Sequence, residues 1–337
     1  MTRVTVGVGL LADQPPEGFT RAVDAAESLG YDTIWIPDER FFRDVFVALA
    51  LAASRTKRVR LGPCVTDAFI RHPAVTAMQM ATLQAISGGR AVLGIGAGLS
   101  GFAALGIKPQ NTVGRMREAI RVIRALLAGQ EAVADKAGVR FRGKLDIPAV
   151  PPVPVYVAGR GPKILELAGE VGDAVMFGAM ASAGAIAYGN ARVEAGARRI
   201  GRDPTAIERA LWIHTFLSKD GEKARRNARR IIVGIILSSK DILPSLGVTV
   251  PLELEKALEP VVYGYHWDID AKILELIPEH LVDAFTLAGA PEEVAAKARR
   301  LVAAGYSHLA LRLWTPKEES VIEPMTLFAE QVRPALA

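Results

Sequence analysis

Eight times along the chain, a short apolar run of strand length ends in a glycine-rich or polar exit, and amphipathic stretches of helical period fill the intervals. The runs are Arg3 to Val8, Thr33 to Ile36, Val59 to Pro63, Ala91 to Ile95, Pro154 to Val157, Ala174 to Phe177, Ala210 to Phe216 and His308 to Leu313. Strands alternating with helices build a parallel sheet. Eight such units in 337 residues predict an α/β chain folded as a closed (β/α)8 TIM barrel with insertions, not an open doubly wound sheet. No Gly-x-Gly-x-x-Gly follows the first run, so the main signature of the open alternative is missing. The clearest unit runs from Arg71 to Gly98. Pro73 suits a first helical turn, and the spacing of Val75, Met78, Met80, Leu83 and Ile86 predicts a helix that stops at Gly88-Gly89 before the next strand.

With half its residues apolar, the chain can bury a large core, and one barrel domain over 1–337 absorbs the length. Two segments interrupt the alternation. Residues 131–153 contain Gly138 and Gly143 and predict a short hairpin; residues 238–280 are proline-interrupted around a helix at Leu252 to Leu258 and read as a lid or partner surface. A net charge of +5 is too mild and dispersed for a nucleic-acid partner. The lone Cys64 excludes an internal disulfide and suits a reducing, cytoplasmic setting. The apolar run Ile231 to Leu237 is far below the roughly 18 residues of a membrane span. His72 reads as a helix cap and His214 as a satisfied core residue, while His266, His280 and His308 lack ligand spacing, so no metal is expected.

The strand exits carry the candidate chemistry, because a barrel places its site at the carboxyl ends of its strands. Gly96-Ala97-Gly98 offers backbone N–H groups without side-chain cover. Ala158-Gly159-Arg160-Gly161-Pro162-Lys163 joins a tight exit to a helix start, an arrangement suited to an anion. Asp38 and Glu39 form an acidic pair at the second exit, able to move protons or to be tied down by Arg40 or Arg43. Trp35, Phe177 and Trp314 either line a ring pocket or fill the barrel.

Asp38 after the Trp-Ile strand, the segment GPCVTDAFIRHP from Gly62, SGGRAVLGIGAG from Ser87 and AGRGPKILELAGEVGD from Ala158 together resemble the bacterial-luciferase-like superfamily. Within it the likeness is closest to methylenetetrahydromethanopterin reductase and related enzymes of the deazaflavin coenzyme F-420. The resemblance implies hydride transfer between coenzyme F-420 and a small organic substrate, in a homodimer or higher homo-oligomer that uses apolar helical faces after the second and fourth strands. It implies a cis peptide between Cys64 and Val65 as a bulge backing the ring, with Asp38, Thr66, Gly96, Ala97, Gly98, Phe177 and Gly178 around the cofactor and residues 158 to 163 on its phosphate. Relatives commonly carry Asp-His where this chain has Asp38-Glu39, so Glu39 with Asp38 becomes the candidate proton carrier. Reductases of the group also carry a carboxylate near the end of the first strand, where this chain reads Val6-Gly7-Val8-Gly9; the substrate differs accordingly. An FMN-dependent monooxygenase of the same superfamily and a non-catalytic flavin-binding barrel are the alternatives.

Overall fold

A computed structural model describes residues 3–39, 41–98, 101–261, 269–315 and 320–336. Its strands are β1 (Thr5–Gly9), β2 (Thr33–Ile36), β3 (Arg60–Pro63), β4 (Thr66–Asp67), β5 (Leu93–Gly96), β6 (Ala132–Lys136), β7 (Val139–Gly143), β8 (Val155–Gly159), β9 (Ala174–Gly178), β10 (Glu208–Leu217), β11 (Thr286–Gly289) and β12 (His308–Leu313). The chain divides into two compact units, one of Gly7–Met176 with Arg192–Glu208, the other of Met1–Val6, Phe177–Ala191 and Arg209–Ala337.

In the first unit, β1, β2 and β3 run parallel with Gly7 opposite Thr33 and Thr33 opposite Arg60. Beyond the exit of β3, β4 continues beside β5, and β5 pairs with β8 from Leu93 opposite Val155 to Gly96 opposite Ala158. The break between β3 and β4 is the Cys64–Val65 peptide, which is cis. Helices α1 (Pro16–Ser28), α2 (Val45–Arg55), α3 (Pro73–Ile86), α4 (Thr112–Leu127) and α5 (Pro162–Val171) follow strand exits, and α1, α3 and α5 begin on proline, whose missing N–H is no loss there. Helix α4 buries one stripe containing Met116, Ile120, Ile123 and Leu127. The predicted hairpin is β6 with β7, antiparallel, with Ala137 and Gly138 both at positive φ (53° and 75°), as a two-residue turn of matching twist requires. It is fastened on two sides: Arg115 of α4 donates to the Gly138 carbonyl (3.0 Å), and His72, just ahead of α3, has Nε2 3.0 Å from that of Arg140.

In the second unit, β10 pairs parallel with β12 from Ala210 opposite His308, and with β11 from His214 opposite Thr286. Helix α6 (Ala183–Arg199) is shared, and α7 (Gly221–Ser239), α8 (Leu252–Leu258), α9 (Ala271–Glu275), α10 (Glu279–Phe285) and α11 (Pro291–Ala303) complete the unit's main helices. Residues of the inserted stretch, among them Leu243, Val248 and Leu258, line an open pocket of about 530 Å³.

Three expectations are corrected. Strands β4 and β11 are additions to the eight runs read in the sequence. Helix α3 buries its small and medium residues Thr76, Ala77, Met80, Ala81 and Leu83, so Val75, Met78 and Ile86 face outward. The exposed apolar helical faces lie on α2 (Val47, Leu51) and α3, not after the fourth strand, because α4 exposes no large apolar side chain. No helix among the described residues is long and apolar enough to cross a membrane.

Candidate active site

Asp38, two residues past β2, is buried, and its Oδ2 accepts from the Thr66 hydroxyl at 2.8 Å. The Arg71 guanidinium forms an ion pair with the same oxygen and reaches Asp44 Oδ2 at 3.1 Å. Asp44 in turn caps α2, its Oδ1 accepting from the N–H groups of Phe46 (2.8 Å) and Val47 (3.1 Å). One arginine therefore links the β2 exit, the segment after the cis peptide and the start of α2. The sequence offered Arg40 or Arg43 for this role. Arg43 instead donates to the carbonyls of Ala12 (3.3 Å) and Asp13 (3.0 Å), and Arg40 lies outside the described residues. Arg71 carried no sequence signal, because its partner is 33 positions away. Glu39 is half-buried, and its carbonyl accepts from Phe42 N–H (3.4 Å).

Cys64 is buried, and burial pushes its thiol well above the usual range, which keeps it protonated and unreactive. Thr66 is fully buried. At the β5 exit, Gly96 and Ala97 lead to Gly98 at φ +70°, where a Cβ would lie 2.5 Å from the Phe102 ring and 2.9 Å from Asp67 Cβ. Only glycine fits that position. Asp67 holds the opposite bank, its Oδ1 accepting from the N–H groups of Phe69 (2.7 Å) and Ile70 (2.8 Å).

Residues Ala158 and Gly159 end β8, and after Arg160 the N-cap of α5 is Gly161, with Pro162 opening the helix and Lys163 exposed beside it. No side chain caps this helix, and a Cβ at Gly161 would meet nothing within 4 Å. Open space at an uncapped helix start, next to two basic residues, fits a phosphate. The backbone behind it is closed, since a Cβ at Gly159 would lie 2.5 Å from Ile164 Cγ2.

Other candidates are packing residues. Trp35 is fully buried and edge-on to Tyr156 at 5.1 Å. In the second unit Phe177 is buried 5.6 Å from Tyr306, followed by half-buried Gly178. There the Trp314 indole N–H donates to His214 Nδ1 (2.9 Å), which leaves the imidazole proton on Nε2. His72 caps α3 through Nδ1, which accepts from Ala74 N–H at 3.2 Å. His280 lies 3.1 Å from the Thr249 carbonyl, His308 bonds Thr5, and His266 is outside the described residues. No cluster of metal-ligating side chains occurs among the described residues.

The sequence model of one family, described as luciferase-like monooxygenase, matches residues 1–308. The chain is 30% identical over 307 residues to 5,10-methylenetetrahydromethanopterin reductase of Methanolobus tindarius, covering 91% of this chain and 93% of that one. It is 33% identical over 309 residues to the enzyme of that name from Archaeoglobus fulgidus, covering 90% and 91%. The solved coenzyme F-420-dependent tetrahydromethanopterin reductase of Methanopyrus kandleri superposes with a TM-score of 0.86 at 26% identity, over 99% of this chain and 100% of that one. The fold class is α/β, a (β/α)8 TIM barrel.

Proposed function

From the premise that the chain belongs to the luciferase-like monooxygenase family and is an oxidoreductase, we propose that it transfers hydride between coenzyme F-420 and a small organic substrate. The observation that carries the cofactor reading is the start of α5: an uncapped N-terminus with open space at Gly161, flanked by Arg160 and Lys163. These groups bind the phosphate through helical N–H groups and positive charge. Gly96, Ala97 and Gly98 line the approach from the β5 exit, buried Thr66 holds Asp38 in place, and the Cys64–Val65 segment supports one ring face. When bound, coenzyme F-420 supplies or accepts hydride at C5 of its deazaflavin.

The chain's own residues then manage position and protons. Asp38, tied to Thr66 and Arg71, fixes the β2 exit, and Glu39 beside it exchanges a proton with the substrate. The reading includes a homo-oligomer, supported by the exposed Val47, Leu51, Val75 and Met78 on α2 and α3, and a cytoplasmic setting in which Cys64 stays a thiol.

Absorbance titration with coenzyme F-420 and with FMN tests the cofactor. Saturable binding of F-420 at micromolar concentration, with FMN much weaker, is the expected outcome. Tight FMN binding without F-420 binding moves the chain to the monooxygenases that the family description names.

A further inference from the structure

Phe41 stands two residues past Glu39 with 69% of its surface exposed and φ at +69°. An aromatic residue rarely adopts that left-handed conformation, so the backbone here holds the ring outward against its own preference. Described residues on both sides of Phe41 are anchored. On its near side Asp38 is pinned by Thr66 and Arg71. On its far side Arg43 N–H donates to the Ala12 carbonyl (3.3 Å), its guanidinium to the Asp13 carbonyl (3.0 Å), and Asp44 is held by the same Arg71 and by the first turn of α2. Arg71 thus engages a carboxylate on each side of Phe41, Asp38 and Asp44, with its guanidinium also 5.2 Å from the Phe46 ring centre. Between the two anchors the chain turns Phe41 outward at a strand exit, where a barrel meets its substrate.

We infer that Phe41 is a specificity-determining residue that stacks on a planar, conjugated ring of the organic substrate, presented by the Arg71 clamp. The inference rests on the hydride-transfer reading above, because it places the substrate at the exit carrying Asp38 and Glu39. A flat ring is the ligand class that an exposed phenyl face discriminates: offset stacking adds to simple area burial, and a saturated ring of similar size gains only the burial. Phe42, the next residue, is also exposed, at 39%. Arg71 is a positioning residue here, acting through Asp38 and Asp44.

The test compares the wild-type protein with Phe41→Asn, which keeps a residue tolerant of positive φ but removes the ring, and with Phe41→Tyr, which keeps it. Binding to the coenzyme F-420-loaded protein is followed by tryptophan fluorescence for a fully oxidised, planar pterin, for acetophenone and for its saturated counterpart cyclohexyl methyl ketone. At least one planar probe is expected to bind wild type and to bind Phe41→Asn about tenfold more weakly, a loss on the scale of one aromatic pair. Phe41→Tyr retains that affinity, the saturated ketone is indifferent to all three proteins, and melting temperature and F-420 affinity stay unchanged. Equal loss for planar and saturated probes, no loss, or no binding of either planar probe to the F-420-loaded wild type overturns the inference. So does weaker F-420 binding in Phe41→Asn, which makes the ring a cofactor contact, or a change in oligomer mass, which makes it a subunit contact. Absence of F-420 binding by wild type overturns the functional reading instead, and is seen before any variant is compared.

Discussion

The carboxylate of Asp38 and the guanidinium of Arg71 form an ion pair in which the acid side chain is only 5% exposed and the arginine 16%. A pair this enclosed is asymmetric in its energetics. Forming it gains little net stability, because both charges lose water, but removing one partner leaves the other buried and uncompensated. Arg71→Met is expected to lose about 3–5 kcal/mol in urea unfolding, and the double variant Arg71→Met with Asp38→Asn to recover a large part of it. Equal losses in the single and double variants would show that the guanidinium's contacts with Phe46 and Asp44, not its pairing with Asp38, hold the exit together.

Gly161→Asp separates stability from affinity at the α5 start. The added carboxylate enters open space, so nothing must move, and it caps a helix that has no side-chain cap. That contributes about 0.5–2 kcal/mol of stability. The same carboxylate sits where the cofactor phosphate is proposed to bind and repels it. The variant is therefore expected to melt higher and to bind coenzyme F-420 at least about tenfold more weakly, since one unfavourable contact of about 1.4 kcal/mol suffices for that. A higher melting temperature with unchanged binding places the phosphate elsewhere.

Much of this was legible in the sequence because the informative signals are local. All eight runs emerge as strands with boundaries shifted by a residue or two, Leu252–Leu258 is the helix that its spacing predicts, and the Ala137-Gly138 turn follows from its glycine. Strand β11 was missed because a four-residue segment running straight on from α10 has no turn signal ahead of it. The faces of α3 were misread because large apolar side chains were taken as the packing stripe, whereas close approach of α2 and α4 selects alanine and threonine. Arg71 with Asp38, and Trp314 with His214 a hundred positions apart, were invisible for a different reason: such pairs are created by parallel strands, which place sequence-distant exits side by side.

Lys297 gives a pH test. Its ammonium is buried on α11, donating to the carbonyls of Asp283 and Thr286, and burial lowers its pKa from 10.5 to about 8. Asp283 nearby opposes the shift, and Arg225 and Arg300 add to it. Between pH 8 and 10.5 the unfolded chain binds a proton that the folded chain has released, so this residue makes stability rise with pH across that window. Below it both states are protonated and the contribution is flat. Lys297→Met removes the slope. Unfolding free energies of wild type and variant, measured at matched pH, should therefore diverge above pH 8 in favour of wild type. Parallel curves would mean that the lysine titrates normally.

Glu39→Gln addresses the proton. Glutamine keeps the shape and hydrogen-bonding reach of the side chain but cannot take up or release a proton in the working range. If Glu39 exchanges a proton with the substrate, turnover falls about 100-fold or more, while coenzyme F-420 affinity and melting temperature stay close to wild type. Asp38→Asn behaves differently, because Asp38 is engaged by Arg71 and Thr66: its removal leaves the guanidinium without its buried partner and lowers stability together with activity. Turnover of Glu39→Gln within a few-fold of wild type assigns the proton to substrate or solvent and leaves Glu39 a loop residue.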